Sequence, residues 1–383
     1  IQRLTAALLG LALACSGAGR ERLQAEPAEE AVATATGPAI VTTPNAPGRF
    51  APARMRIEGS GKEIANVESC AECHPDVAAQ WRTSAHALSS FSNPIYRVSI
   101  RSFRAAKGMV ASRFCGGCHD PALLADGAMD VDVEPLDPRA HAGITCLTCH
   151  GAREATVDGN GSLAVDVNKV VLPRSGSAES IAEHKASASP ISGPELCASC
   201  HRSFLGESTG HDSYLQGVDD YGTWQSSAFA ESGMDRVDDA PKASCRDCHM
   251  RPERATRGDK AAKRGTVSSH RFLGAHTHLA AMRRDEEMLE RTRRSLRGVA
   301  SVDVAAIRGQ QSGWHRPAES SPLVPGEIVD IDVVVRSVRV GHRFPGGTTD
   351  AHDTWIEIVV FDGERVVATS GRQHRHREER GVH

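Results

Sequence analysis

The sequence predicts a mainly α-helical, loop-rich domain followed by a small β-sandwich-like domain. Two observations carry this prediction. Between residues 70 and 249, five short cysteine-containing segments are separated by long irregular stretches, and from about residue 298 β-branched residues alternate with polar ones. Alternation of this kind is typical of strands. Long loops are uncommon in an ordinary compact domain, and aromatic residues make up only 4% of the chain. We therefore expect a bound group to fill part of the first domain's core.

The five segments share the form Cys-x-x-Cys-His, which is the attachment sequence of c-type haem. On a helical turn both cysteines and the histidine lie on one face. Two thiols can then bond the vinyl groups of the porphyrin while the imidazole reaches the iron. We number the segments motifs 1 to 5, and they occupy 70–74, 115–119, 146–150, 197–201 and 245–249.

The motifs predict five covalently bound haems c. The attachment residues are Cys70, Cys73, Cys115, Cys118, Cys146, Cys149, Cys197, Cys200, Cys245 and Cys248. The proximal iron ligands are His74, His119, His150, His201 and His249. A four-cysteine zinc site is the main alternative, but five pairs leave one over, and zinc does not require a histidine after every second cysteine. A disulfide framework would not require the histidines either.

The remaining histidines determine whether each haem iron has a second axial imidazole ligand. Two axial imidazoles suit electron transfer, whereas an open position permits substrate chemistry. His86 and His141 are favoured as distal ligands because each lies close to a motif. His342, in a turn at 341–346, either points at a haem edge or shapes a loop. The distal candidates are His86, His141, His184, His211, His270, His276 and His278.

One internal repeat stands out. The frame at 81–87, Trp-Arg-Thr-Ser-Ala-His-Ala, recurs at 224–230 as Trp-Gln-Ser-Ser-Ala-Phe-Ala. If the repeat is structural, Phe229 packs against a porphyrin where His86 binds iron. The alternative is coincidence in a helix of small residues.

The N-terminal region resembles an export signal. Residues 1–15 combine Arg3, a short apolar run and small residues before Cys15, and the chain begins with Ile1 rather than Met. This pattern predicts a signal peptide of lipoprotein type with Cys15 as the lipidation site. Plain cleavage nearby and a buried N-terminal helix are the alternatives. Residues 16–62, rich in Ala, Pro, Glu and Thr, predict a flexible linker.

The haem domain is expected to span 63–297 and to end in a charged amphipathic helix over 279–297. The β-sandwich-like domain is expected over 298–383. Its irregular tail is either disordered or the truncated or frame-shifted end of the domain. The expected strands are 302–307, 328–338, 355–361 and 366–370.

Beyond the five motifs, several runs carry a resemblance to the multihaem cytochrome c family that includes the tetrahaem cytochrome of ammonia oxidisers, hydroxylamine oxidoreductase and pentahaem nitrite reductase. They are Trp-x-x-Ser-x-His at 81–86, His-x-Gly-Ile-x-Cys at 141–146 and Cys-x-Asp-Cys-His-Met at 245–250. The Gly-His-Arg-Phe-Pro-Gly turn at 341–346 resembles a β domain appended to many such cytochromes. The resemblance covers about residues 66–370.

This resemblance implies a helical, loop-rich domain with parallel-stacked and perpendicular haem pairs. Two departures weigh against an enzyme. The nitrite reductases commonly use a proximal lysine at the active haem, whereas all five motifs here end in histidine. Hydroxylamine oxidoreductase needs a tyrosine crosslink, and Tyr96, Tyr214 and Tyr221 do not stand in a matching context.

The expected function is electron transfer between periplasmic or cell-surface redox partners, or from a quinol-linked membrane complex. The alternative is a reductase or oxidase of small nitrogen or sulfur oxyanions at one open haem. A net charge of −3 gives no basic signature for nucleic acid. The signal and the haem motifs predict an exported protein, periplasmic or outer-membrane-anchored in a Gram-negative-type bacterium.

Overall fold

The structure is a computed structural model that describes residues 55–207, 212–231, 241–317, 323–348, 352 and 354–371. The predicted signal, the lipidation candidate Cys15, most of the predicted linker, His211 and the C-terminal tail lie outside the described residues.

Short helices joined by loops make up most of the part of the chain before residue 298. Among the described residues, no helix has the length and apolar character needed to cross a membrane. The α-helices are α1 Gly61–Ala65, α2 Glu68–Ala71, α3 Pro75–Arg82, α4 Pro94–Lys107, α5 Arg113–His119, α6 Pro121–Ala125, α7 Cys146–His150, α8 Ala178–Ser187, α9 Glu195–Ala198, α10 Asp220–Gln225, α11 Cys245–His249, α12 Thr277–Met282 and α13 Glu286–Leu296.

The strands form several small sheets. They are β1 Arg56–Glu58, β2 Ala152–Ala155, β3 Leu163–Asp166, β4 Arg202–Leu205, β5 Leu215–Asp219, β6 Pro252–Arg254, β7 Thr266–Ser268, β8 Ala300–Gly309, β9 Gly313–His315, β10 Val329–Ser337, β11 Ile358–Asp362 and β12 Arg365–Ser370. β1 pairs in parallel with β3, which pairs antiparallel with β2. β4–β5, β6–β7 and β11–β12 are two-stranded antiparallel pairs, and β8 lies between β10 and β9.

The described chain divides into two compact units. Gly298–Arg339, which carries β8, β9 and β10, forms one unit. The other contains the described residues up to Arg297 and those from Val340 onward, including β11 and β12. All four predicted strand segments contain a strand, but their two sheets fall in different units. Packing of these sheets into a sandwich, and the predicted domain boundaries, stay predictions.

The apolar core of the larger unit consists of separate small clusters. One gathers Met55, Ile64 and Leu163 against the β1–β3–β2 sheet, and a second gathers Phe91, Ile100 and Met129 around α4 and α6. Because side chains alone form only small clusters here, the fold agrees with a core completed by bound groups.

The prediction of a single amphipathic helix over 279–297 is wrong. The structure has α12 and α13 with a turn between them, and Arg284 takes a left-handed φ of 56°. The Asp285 carboxylate accepts a hydrogen bond from the Met288 N–H at 2.9 Å and begins α13. An aspartate N-cap favours a new helix start over continuation of the preceding one.

Candidate haem-binding site

Each motif lies on a helical turn. The His74 N–H donates to the Cys70 carbonyl at 2.9 Å, and the His201 N–H donates to the Cys197 carbonyl at 2.8 Å. Motif 2 ends α5, while motifs 3 and 5 coincide with α7 and α11. The motif cysteines, all described, form no disulfide. This arrangement supplies the thiols and imidazole that covalent haem attachment requires.

The spacing of histidine rings tests whether an iron fits between them. A metal–imidazole bond is about 2.0–2.1 Å, as for zinc, and places the ring centroid about 1 Å farther out. Two imidazoles on opposite sides of one iron should therefore have centroids roughly 6 Å apart.

Four motif histidines have such a partner. The pair His74–His184 has centroids 6.1 Å apart and His150–His270 has them 6.4 Å apart. The pairs His201–His86 and His249–His342 are both separated by 6.2 Å. The ring planes are near-parallel in three pairs, at 12° to 23°, whereas those of His86 and His201 cross at 73°. The four pairs fit haem sites 1, 3, 4 and 5, numbered by motif.

Hydrogen bonds at Nδ1 leave Nε2 free in several of these rings. His184 donates to the Val171 carbonyl at 2.7 Å, and His249 donates to the Leu273 carbonyl at 2.7 Å. His270 donates to the Ser268 carbonyl at 2.9 Å. A bond at one ring nitrogen fixes the tautomer and the orientation of a metal-binding imidazole.

Burial favours the neutral imidazole, the form that binds a metal, at two of the paired positions, His86 and His150. It lowers the pKa of His86 to about 3, with a further contribution from His201. Burial likewise lowers the pKa of His150 to about 4, with His270 contributing.

Two proximal histidines face carboxylates instead of carbonyls. His74 Nδ1 lies 3.0 Å from Asp259 Oδ1, and the aspartate side chain is fully buried. His201 Nδ1 lies 3.2 Å from Asp220 Oδ2. Burial raises the pKa of both carboxyl groups, but hydrogen bonds from histidine and backbone N–H groups outweigh it and leave each pKa below its ordinary value. Neither aspartate is marked in the sequence, because Asp259 lies 185 positions and Asp220 lies 19 positions from its histidine, too far for a local pattern.

Site 2 differs from the other four. Within the described part of the chain, no histidine ring lies opposite His119. Its Nδ1 donates to the Ser89 carbonyl at 2.7 Å, and Tyr96 stacks on its ring with centroids 4.4 Å apart. The Tyr96 hydroxyl donates to the Asp120 carboxylate, which fixes the ring beside the proximal histidine.

The other distal candidates lie elsewhere. His141 is exposed, and its Nε2 donates to the Pro135 carbonyl at 2.7 Å. The ring centroids of His276 and His278 lie 6.4 Å apart in an edge-on arrangement, but neither histidine belongs to a motif. His211 lies outside the described residues. The sequence allowed His342 either to point at a haem edge or to shape a loop. In the structure its ring lies opposite that of His249.

Interactions between cysteines of different motifs show which motifs are neighbours in space. Cys70 of motif 1 hydrogen-bonds to Cys146 of motif 3, and Cys197 of motif 4 hydrogen-bonds to Cys245 of motif 5. The corresponding contact of motifs 2 and 4 joins Cys118 to Cys200. Motif 3 also interacts electrostatically with motif 4, through Cys149 and Cys200. The attachment points therefore follow one another from motif 1 through 3 and 4 to 5, with motif 2 beside motif 4.

The predicted internal repeat is confirmed by equivalent hydrogen bonds. The Trp81 indole N–H donates to the Ile144 carbonyl, and the Trp224 indole N–H donates to the Ala243 carbonyl. Each acceptor stands two residues before the first cysteine of a motif. The backbone bonds repeat as well, from Ile144 N–H to the His86 carbonyl and from Ala243 N–H to the Phe229 carbonyl. The same frame thus holds motifs 3 and 5, with Phe229 in the place of His86.

Comparison with known proteins identifies related sequence over the first three motifs. Residues 69–151 match the family described as Cytochrome c554 and c-prime. A penta-haem cytochrome c552 from Thermochromatium tepidum superposes with a TM-score of 0.44 at 17% identity, covering 74% of this chain and 69% of that one. No curated protein is significantly similar in sequence. The matched segment contains three of the five Cys-x-x-Cys-His motifs, so over residues 69–151 the chain is similar to a family of c-type cytochromes.

Proposed function

We propose that the chain carries five haems c, one on each motif, and relays electrons among them. The observation that carries this proposal is the pairing of four motif histidines with a second histidine at 6.1–6.4 Å. Haem iron supplies reversible one-electron chemistry when bound. Two imidazoles per iron leave no position for a substrate, which suits a carrier.

The cysteine contacts support a route. We propose that electrons pass along sites 1, 3, 4 and 5 in this order. Thiols of motifs 1 and 3 and thiols of motifs 4 and 5 hydrogen-bond to each other, and thiols of motifs 3 and 4 interact electrostatically. Site 2 joins the route at site 4 through Cys118 and Cys200. Sites 1 and 5 are the ends of the series and are the proposed points of entry and exit.

A haem count tests the proposal. The pyridine haemochrome assay on purified full-length protein should give five haems per chain, one for each attachment motif. Replacement of both cysteines of one motif by alanine should lower the count to four. A count below five in the unaltered protein would contradict the proposal.

A second candidate function is supported by site 2. His119 has no histidine opposite it in the part of the chain that the structure describes, so its iron can offer a position to a small nitrogen or sulfur oxyanion. His211, outside the described residues, is the competing ligand. A high-spin signal in the unaltered oxidised protein favours the enzyme. A low-spin signal that becomes high-spin only in His211→Ala favours the carrier.

We further propose that the protein is exported, is anchored at the membrane through a lipid on Cys15 and exchanges electrons with a redox protein or a quinol-linked complex. The sequence around Cys15 supports the anchor. The Cys15→Ala variant should be released into the soluble periplasmic fraction while the unaltered protein stays with membranes. Equal partition of both proteins would contradict the lipid anchor.

A further inference from the structure

Asp220, the first residue of α10, contacts the ligand sets of two haem sites. Its Oδ2 lies 3.2 Å from Nδ1 of His201, the proximal histidine of site 4. Its Oδ1 accepts a hydrogen bond from the Gly347 N–H at 2.9 Å. Gly347 ends the loop 341–347, which carries His342, the histidine opposite the proximal His249 of site 5. The Asp220 carboxylate thus bonds to the proximal histidine of site 4 and to the loop that carries the distal histidine of site 5.

The loop fits closely onto α10. The Arg343 N–H donates to Thr223 Oγ1 at 3.3 Å. A Cβ added to Gly341 would come within 3.1 Å of Trp224 Cδ1, and one added to Gly346 would come within 2.7 Å of the His342 ring. The position of His342 is therefore set by contacts with α10 as well as by the loop's own backbone.

The carboxylate also acts on His201 electronically. A carboxylate that accepts a hydrogen bond from the Nδ1–H group raises the basicity of a metal-bound imidazole. A more basic ligand and a nearby negative charge stabilise oxidised iron and so lower its reduction potential. His74 has the same kind of partner in Asp259, whereas His119 and His249 donate to backbone carbonyls.

We propose that Asp220 is a positioning residue shared by sites 4 and 5, which lowers the potential of site 4 through His201 and holds His342 at site 5 through Gly347. This inference rests on the haem ligation proposed above. Asp259 serves as the matched control, because its remaining bonds go to the N–H groups of Val77 and Ala261, near its own site only.

The experiment compares Asp220→Asn, Asp220→Ala and Asp259→Asn in the full-length holoprotein, by redox titration and by electron paramagnetic resonance. Asparagine at position 220 keeps a hydrogen-bond acceptor for the Gly347 N–H but removes the negative charge beside His201. We expect Asp220→Asn to raise the reduction potential of one haem, that of site 4, by about 59 mV. For one electron this corresponds to about a tenfold larger ratio of reduced to oxidised haem at a given potential. Asp259→Asn should raise the reduction potential of a different haem, and neither variant should gain a high-spin haem.

Asp220→Ala should raise the site 4 potential and also convert one low-spin haem to high-spin, because His342 loses its anchor. The inference is overturned if Asp220→Ala changes one haem only, as Asp259→Asn does, or if Asp220→Asn shifts no potential.

A second measurement covers the case in which Asp220→Ala does not mature. Hydrogen exchange at the Gly347 amide should become faster in Asp220→Asn, because a neutral acceptor is weaker than a charged one. It should stay unchanged in Asp259→Asn. Equal exchange in all three proteins would overturn the loop-holding role.

The unaltered protein separates this inference from the proposed function. If it lacks low-spin signals for sites 4 and 5, the ligation proposal fails. If those signals are present but the Asp220 variants behave like the Asp259 variant, only the shared role of Asp220 fails.

Discussion

At the scale of single residues, the histidines are distinguished by what lies opposite them. His86, His184 and His270 were sequence candidates, and the structure sets each opposite a motif histidine. Sequence proximity to a motif favoured His141 equally, yet that side chain bonds to the Pro135 carbonyl. The attachment residues can be read from the sequence because their spacing is local. Ligand pairs cannot be read from the sequence, because partners such as His86 and His201 are far apart in the chain and only the fold brings them together.

Removal of His342 tests the least expected pairing. Its ring lies 6.2 Å from His249 with planes 12° apart, so His342→Ala should convert one low-spin haem to high-spin. Once reduced, that site should bind carbon monoxide. His141→Ala is the matched control and should leave the electron paramagnetic resonance spectrum unchanged. An unaltered spectrum in His342→Ala would show that another residue closes site 5.

At the scale of elements, the indole hydrogen bonds of the repeat at 81–87 and 224–230 fix the residues just before motifs 3 and 5. Trp224→Phe removes the bond to the Ala243 carbonyl at 2.9 Å. We expect the free energy of unfolding to fall by about 1 kcal/mol, measured by denaturant titration with haem absorption as the probe. Trp314→Phe changes a side chain that is 55% exposed and should have little effect. Equal losses in both variants would contradict a specific role for the Trp224 bond.

Glu327 organises the unit 298–339. Hydrogen bonds from the Ser312 side chain, and from backbone N–H groups of Ser312, Gln311 and Val324, lower the pKa of Glu327 to about 2. Because the folded pKa lies below the ordinary value of 4.5, the stabilisation is complete above pH 4.5 and is lost as the pH falls toward 2.

The pH dependence of unfolding tests this role. The thermal midpoint of the unaltered protein should fall between pH 5 and pH 3 by more than that of Glu327→Gln. Glu364→Gln, in the turn between β11 and β12, removes one charge of the same type as a control and should behave like the unaltered protein. A Glu327→Gln variant with the same fall as the unaltered protein would contradict the account.

The elements also show where sequence patterns are insufficient. Four of the five described strands after residue 298 were predicted, because β8, β10, β11 and β12 are long enough to show alternation, whereas the three-residue β9 was not predicted. The strands at 56–58, 252–254 and 266–268 have three residues each, too few for a period of two to be visible. Helix α13 begins at its own aspartate cap, a local signal that the continuous amphipathic pattern over 279–297 obscured.

At the scale of the whole molecule, the order of the motifs in space differs from their order in the chain. Motif 1 contacts motif 3, while motif 2 contacts motif 4. The sequence predicts the number of attachment points but not this order, because long irregular connections place no limit on which motifs meet. The proposed electron route therefore depends on the fold and not on the order of the motifs in the chain.

Removal of one site tests the route. A Cys146→Ala/Cys149→Ala variant should lack the haem of motif 3 and should slow electron equilibration between site 1 and sites 4 and 5, measured by rapid reduction kinetics. The matched Cys115→Ala/Cys118→Ala variant lacks motif 2, which lies beside the series, and should equilibrate at the rate of the unaltered protein. Equal slowing in both variants would contradict the proposed order.

We propose that paired histidines supply both axial ligands to four of the five haem irons. Electron paramagnetic resonance of the oxidised full-length protein, quantified against its haem content, tests this most directly. We predict five haems per chain with at least four low-spin. One of them should be distinct from the rest, because the crossed ring planes of His86 and His201 leave the iron orbitals more nearly degenerate. Fewer than five haems, or more than one high-spin haem, would contradict the account.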